Sequence, residues 1–298
     1  YLIDTIQVGG IILFSRNIEN LNQVAQLCAD AQAYAMEQGL PPLIISVDQE
    51  GGTVARLKAP DFTEFPDAAR ISGVPGAICF AKTTAAELTA AGINMNMAPV
   101  LDVADPQTSS VMTRRAYGTT AEHVSRVGVA IITHLQDNGV MSVAKHFPGI
   151  GRTTVDSHLV LPELDTPREI MEVCDLLPFH AAVACKAAGI MLSHIRYTAF
   201  DRQWPASLSP AVAHDLLRTR MGYHGLSITD DLEMGAVADN YDTATVARLV
   251  LAAGVDIALV CHTMAKIETV YDTILAQTGA NTRKTKHLAS VGRVLAAK

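Results

Sequence analysis

Seven short apolar runs, separated by longer stretches of helical periodicity, constrain this chain more than any other feature. The runs fall at 10–14, 43–48, 94–101, 142–146, 190–194, 226–231 and 256–260, and the periodic stretches include 21–38, 121–138, 168–188, 210–221 and 243–253. Each run has the length of a strand and is apolar on consecutive residues, so both faces of the strand must be covered. Gly39, Gly139, Gly189, Gly225 and Gly254 stand just ahead of runs, where helix C-caps should hand over to strands. The alternation is that of an α/β protein built on a parallel sheet. No linker, low-complexity tract or charge block divides residues 1–298, which read as one domain.

What closes each run decides between architectures. Arg16 and Asn17 follow the first, Asp48 and Glu50 the second, and Asp102 the third. Lys145 and His146 end the fourth, His194 the fifth, Asp230 and Asp231 the sixth, and His262 follows the seventh. A doubly wound sheet gathers its ligand groups near one switch point. A (β/α)8 barrel draws them from the carboxyl end of nearly every strand, and that is the pattern here. An eighth strand should precede Gly10, yet residues 1–8 are too short for a strand and a returning helix. The predicted fold is a single-domain (β/α)8 barrel whose first strand is missing or trimmed from the N-terminus.

Composition narrows the partners. A net charge of −7, with no basic run interleaved with aromatics, speaks against nucleic acid or an anionic membrane. Apolar residues make up 49% of the chain, enough for a large core. No run approaches the roughly 18 residues that would span a bilayer. Cys28, Cys79, Cys174, Cys185 and Cys261 are odd in number, scattered and set in apolar surroundings. They show neither a disulfide framework nor a zinc spacing, and read as reduced core residues. No metal or cofactor is called for, and the cytoplasm is the default compartment.

The chemistry concentrates in Lys145-His146-Phe147-Pro148-Gly149-Ile150-Gly151 and, downstream, Asp156-Ser157-His158. β-forming residues 140–143 lead into this loop, which therefore starts at a strand end. A carboxylate two residues from an imidazole can fix its tautomer and raise its basicity, as general acid–base catalysis requires. The same residues could also form a Pro-Gly turn followed by an Asp-Ser-His helix cap.

Five segments in order make the pattern more specific. Asp48-Gln49-Glu50-Gly51-Gly52 with Arg56, the Lys145–Gly151 segment with its Asp-Ser-His, and Ser227-Ile228-Thr229-Asp230-Asp231 resemble family-three glycoside hydrolases. Arg16-Asn17 after Gly9–Phe14, and Arg115-Ala116-Tyr117-Gly118, resemble two further segments of that family. The match is collinear from about Val8 to the C-terminus. The Asp-Ser-His loop is similar to the bacterial β-N-acetylglucosaminidase branch, whereas the β-glucosidases generally take their acid from a second domain.

The resemblance implies a retaining exo-β-N-acetylglucosaminidase acting through a covalent glycosyl-enzyme intermediate. Its substrate would be a carbohydrate with terminal β-linked N-acetylglucosamine, from peptidoglycan fragments or chitooligosaccharides. Asp230 matches the nucleophile, leaving Asp231 to compete for that role or to cap the next helix. His158 matches the acid/base, with Asp156 as its orienting partner, and Asp48, Arg56, Arg115, Lys145 and His146 match sugar-binding positions. Plainer readings stand beside these: a surface ion pair for Arg56, packing for His146, a helix cap for His158. His194 and His262 are expected to support the site and not to react. Most retaining glycosidases set two carboxyl groups about 5–5.5 Å apart. Here an imidazole, titrating near about 6.5 when free, would replace one of them.

Two departures and several rivals remain. Position 150 is usually histidine or aspartate in this branch and is Ile150 here, which implies that a polar contact in the loop is lost or replaced. The missing first strand is the other departure. Metal-dependent barrel hydrolases of the amidohydrolase type also place Lys, His and Asp on strand ends, but their His-x-His on the first strand is not visible. A phosphate loop at 148–154 lacks the following Gly-Lys-Ser/Thr. A non-catalytic sugar-binding barrel would have lost its nucleophile or acid. Phosphorolysis is an alternative on the same fold, because an imidazole acid leaves no second carboxylate to repel phosphate.

Overall fold

Seven parallel strands form one sheet in the computed structural model, which describes residues 1–157, 159–278 and 284–298. They are β1 (Gly10–Leu13), β2 (Ile44–Val47), β3 (Met95–Asn96) and β4 (Met141–Phe147). β5 (Gly189–Leu192), β6 (Leu226–Asp231) and β7 (Ile257–Leu259) complete it. Each strand pairs in parallel with the next one in sequence, so the order never reverses and the sheet has no switch point. Adding every strand on the same side, with the twist of a parallel sheet, curls it. The curl brings the two edges together at the carboxyl end. Arg16 Nη2, past β1, donates to the Cys261 carbonyl, past β7, at 3.0 Å. The Phe14 and His262 rings lie 5.1 Å apart across the same seam.

The concave side has its own core. Ile44, Met95, Met97, Val143, Met191, Leu226 and Ile228 form one cluster, with Ile12, Ile257 and Leu259 packed against it, so all seven strands contribute. Val294 and Ala297 of the last helix join the same cluster. The helices are α1 (Leu21–Glu37), α2 (Gly73–Ala90), α3 (Ala121–Asp137), α4 (Arg168–Val173) and α5 (Leu177–Ala184). After them come α6 (Ala211–Arg220), α7 (Gly235–Ala238), α8 (Thr243–Ala253), α9 (Met264–Thr278) and α10 (Lys284–Ala297). The long helices bury one stripe against the sheet; α3 does so with Val124, Val127, Ile131, Ile132 and Leu135. No helix among the described residues is long and apolar enough to cross a membrane.

The sheet has seven strands among the described residues and residues 1–8 form turns, so an eighth strand is not observed there, in keeping with the seven runs of the sequence. Several other expectations are corrected. The third run shrinks to Met95–Asn96. Pro99 has no amide to give to a ladder, and beyond Asn96 the contact with β4 continues outside a regular strand, through the Val143 amide to the Ala98 carbonyl at 3.1 Å and the isolated Val100–Lys145 bridge. The helix expected over 168–188 is two helices, α4 and α5, broken at Cys174–Leu176. Asp175 sits in that break, buried, with Arg152 as its ionic partner. Gly39, Gly139 and Gly254 do take left-handed φ, but Gly189 opens β5, and the left-handed residues before β5 and β6 are Lys186 and Gly222. α6 is wound as a π-helix, with the Met221 amide reaching the Leu216 carbonyl at 3.0 Å. Of the five cysteines, all free, only Cys28 is buried. Cys79 is exposed because it lies off the stripe that α2 buries through Phe80, Ala81, Thr84 and Leu88.

Candidate active site

The carboxyl ends of the strands carry a connected set of charges. Near its carboxyl end β4 carries Lys145 and His146, both buried although one is cationic, so each must be paired. Lys145 Nζ lies 2.7 Å from Asp48 Oδ1, past β2, and 2.7 Å from Glu50 Oε1. Glu50 also receives Arg115 through two parallel bonds, Nη2 to Oε1 at 2.8 Å and Nε to Oε2 at 2.9 Å. Burial pushes the Glu50 carboxyl up, but Lys145 and Arg115 overcome it and hold the group at about 2. Burial likewise works against the Lys145 ammonium, and Asp48 and Glu50 reverse the effect and raise it. Asp48 Oδ2 accepts from Arg56 Nη2 at 3.3 Å.

Local sequence explains how β2 delivers these groups. The Gln49 side chain accepts the amides of Arg56 and Leu57 at 2.9 and 3.1 Å, folding 49–57 back on itself as a short antiparallel ribbon. Gly52 sits at φ 57°, and a Cβ there would come within 2.0 Å of Asp67. Only glycine turns that corner.

His146 is oriented by Asp102, which is fully buried past β3. His146 Nδ1 lies 2.7 Å from Asp102 Oδ2, so this nitrogen donates, and Nε2 faces Arg115 Nη2 at 3.4 Å. Asp102 Oδ1 also accepts the Ile150 amide at 2.8 Å. Position 150 thus makes a polar contact through its backbone amide, while the Ile150 side chain is buried in the apolar core. The loop is then pressed onto the 102–105 segment. A Cβ at Gly151 would lie 1.9 Å from the Val103 carbonyl oxygen, and the Asp105 amide donates to the Gly151 carbonyl at 3.2 Å.

The two aspartates ending β6 differ. Asp230 Oδ1 accepts the Asp231 amide at 2.9 Å. Burial pushes its carboxyl up, but His146, His194, that amide and Lys145 together hold it below the usual carboxylate range. Asp231 has both oxygens engaged: Oδ1 accepts the Glu233 amide at 3.1 Å and Oδ2 lies 3.2 Å from His262 Nε2. Burial raises its carboxyl. The buried His194 ring spans Ser207 Oγ at 2.7 Å and the Asp231 carbonyl at 2.9 Å, bracing the turn after Asp230. The Asp230 carboxyl is thus shifted down and that of Asp231 up, and Asp231 has both of its oxygens engaged.

The Asp156-Ser157 turn is tied to the segment after this strand end. The Asp156 carbonyl accepts the Leu159 amide at 3.0 Å, and the Ser157 carbonyl accepts the Ala236 amide of α7 at 3.0 Å. Asp156 is exposed, and His158 lies outside the described residues. Of the expected site residues, Asp48, Arg56, Arg115, Lys145 and His146 stand in one linked network. Arg56 is indeed in an ion pair, though with Asp48 of that network. Glu50 and Asp102 were visible only as polar strand ends, yet each holds a site residue in place, and His194, expected to support the site, braces the turn after Asp230.

The model of the glycosyl hydrolase family 3 N-terminal domain matches residues 1–296, and the chain belongs to that family of glycoside hydrolases. A beta-hexosaminidase of Methylococcus capsulatus is 37% identical over 289 residues, covering 95% of this chain and 84% of the relative. Beta-hexosaminidase A of Pseudoalteromonas piscicida is 35% identical over 277 residues, covering 87% of this chain and 46% of the relative. The solved family 3 β-N-acetylglucosaminidase of a Paenibacillus species superposes with a TM-score of 0.94 at 39% identity, over 100% of this chain and 57% of that one. The chain therefore spans about half the length of these last two.

Proposed function

We infer that this chain is a retaining exo-β-N-acetylglucosaminidase, with Asp230 as nucleophile and His158, oriented by Asp156, as the proton donor and acceptor. The observation that carries the reading is the contrast at the end of β6. Asp230 is held ionised and bonded only through Oδ1 in the contacts described, while Asp231 is occupied through both oxygens. An anionic carboxylate at a strand end can attack an anomeric carbon, with the leaving oxygen taking a proton from the imidazole. Water then attacks the glycosyl-enzyme, its proton going to the same imidazole, and the sugar leaves with its configuration retained.

The remaining residues grip the terminal sugar. Lys145, Arg115 and Arg56 donate to its hydroxyls, and Asp48 accepts from them; His146 lines the same pocket. Their mutual ion pairs keep three cations and two anions folded into place before the sugar arrives, so little reorganisation is needed. The relatives named for hexosaminidase activity support N-acetylglucosamine as the sugar. Peptidoglycan fragments and chitooligosaccharides both present such an end, and a reducing cytoplasm suits the five free cysteines. We read residues 1–298 as one catalytic domain of (β/α)8 type, a reading supported by the shared core of all seven strands and by the Arg16–Cys261 contact across the seam.

Hydrolysis of p-nitrophenyl β-N-acetylglucosaminide, compared with the β-glucoside and repeated with phosphate, tests the reading. Preference for the acetamido sugar with free N-acetylglucosamine as product supports it. Preference for the glucoside, or a sugar phosphate as product, contradicts it.

A further inference from the structure

Arg152 stands at the stem of the Asp-Ser-His loop and has no part in the sugar grip. Its Nε donates to Asp175 Oδ2 at 3.0 Å, and its Nη1 donates to Asp105 Oδ2 at 3.2 Å. Asp175 is 1% exposed, and its other oxygen has no hydrogen-bond partner among the described residues. A buried carboxylate in that position depends on its one guanidinium. Asp175 lies in the break between α4 and α5, and Asp105 follows β3, so the fork ties three separate segments together. Asp175 also packs against the loop a second time, since a Cβ at Gly149 would meet its Cβ at 3.0 Å. Downstream, the Ser157 carbonyl takes the Ala236 amide of α7. The segment between is thus fixed at one end by Arg152 and at the other by the turn after Asp230.

We propose that Arg152 is a positioning residue for proton transfer: its two-pronged contact with Asp175 and Asp105 fixes where the Asp156-Ser157 turn stands relative to Asp230. The proposal rests on the reading that this turn carries the proton. A lysine at position 152 keeps the charge but has no planar fork to span two carboxylates. The acid would then be misplaced without being removed, a fault that costs about 10²-fold where proximity matters.

The test compares glycosylation of chitobiose, whose leaving group needs a proton, with that of a dinitrophenyl N-acetylglucosaminide, whose leaving group does not. Arg152→Lys is expected to slow the first by about 10²-fold and the second little. Asp105→Asn, which keeps the Oδ1 contact with the Gln107 amide and alters only the outer prong, is expected to shift in the same direction by less. It decides the matter if Arg152→Lys fails to fold. His158→Ala is the reference. If His158→Ala is selective while both other variants slow the two substrates equally or not at all, Arg152 is structural only and the proposal falls. If His158→Ala itself is unselective, the proton reading falls, and the proposal falls with it.

Discussion

Glu50→Gln perturbs the centre of the charge network while leaving its shape. Glu50 is 3% exposed and bonded to Arg115 twice and to Lys145 once. A carboxyl held at about 2 in place of its ordinary 4.5 corresponds to about 3 kcal/mol of stability at pH 7. Breaking a buried ion pair typically costs about 3–5 kcal/mol, which agrees. The folded-state value is the lower one, so the unfolded chain binds more protons. The contribution is therefore complete above the ordinary 4.5 and is lost as pH falls toward about 2. Urea unfolding, followed by far-UV circular dichroism and by the single tryptophan, Trp204, measures the gap between wild type and variant. It is expected to be about 3 kcal/mol at pH 7 and about half that near pH 3. KM for the sugar should rise as well, because Arg115 and Lys145 lose the group that holds them. A gap under about 1 kcal/mol at pH 7, or one that does not shrink at pH 3, refutes the reasoning.

Three further outcomes follow from the geometry. Asp231→Ala should leave most of kcat, since Asp231 serves the turn and His262; a loss equal to that of Asp230→Ala would reverse their roles. Asp156→Ala should move the basic limb of kcat/KM to lower pH, because an imidazolium without its carboxylate gives up its proton earlier; a pH–rate profile with an unmoved limb counts against the pairing. The Asp256 side chain is fully buried and accepts from Arg293 Nη2 at 2.7 Å, Ser290 Oγ at 2.6 Å and the Ser227 amide at 2.9 Å, besides Arg218. It docks α10 onto the amino end of β6, so Asp256→Ala should cost about 3–5 kcal/mol in urea unfolding. A loss within about 0.5 kcal/mol, typical of a surface site, would show that this contact does not hold α10.

Much of the fold was legible because strand and helix here follow one rule each. Continuous apolar runs located all seven strands, and the polar residue after each run pointed to the carboxyl face. Where reading failed, tertiary contacts had overruled local signals. The run at 94–101 is mostly apolar, but Pro99 has no amide to give to a ladder, and only Met95–Asn96 is a strand. The periodicity of 168–188 hides Asp175, whose burial against Arg152 breaks the helix. α2 went unread because Gly73, Pro75 and Gly76 crowd its first turn, although proline there loses no helical bond. In the site, residue types at strand ends gave Asp48, Lys145, His146 and Asp230. They could not show that Asp231 has both oxygens engaged, by His262 and by the Glu233 amide across the turn. Nor could spacing show Ile150 turned into the core with its amide on Asp102.

Trapping the covalent intermediate tests the central claim most directly. A 5-fluoro-N-acetylglucosaminyl fluoride reacts with a nucleophilic carboxylate and leaves a slowly hydrolysed adduct. Peptide mapping of the inactivated protein is expected to place a single sugar on Asp230, and Asp230→Ala, still folded, is expected to resist labelling. A sugar on Asp231 would contradict the assignment. An unlabelled enzyme that a thiazoline mimic of the oxazolinium ion inhibits at nanomolar concentration would contradict the mechanism itself, since the substrate's own acetamido oxygen would then be the nucleophile.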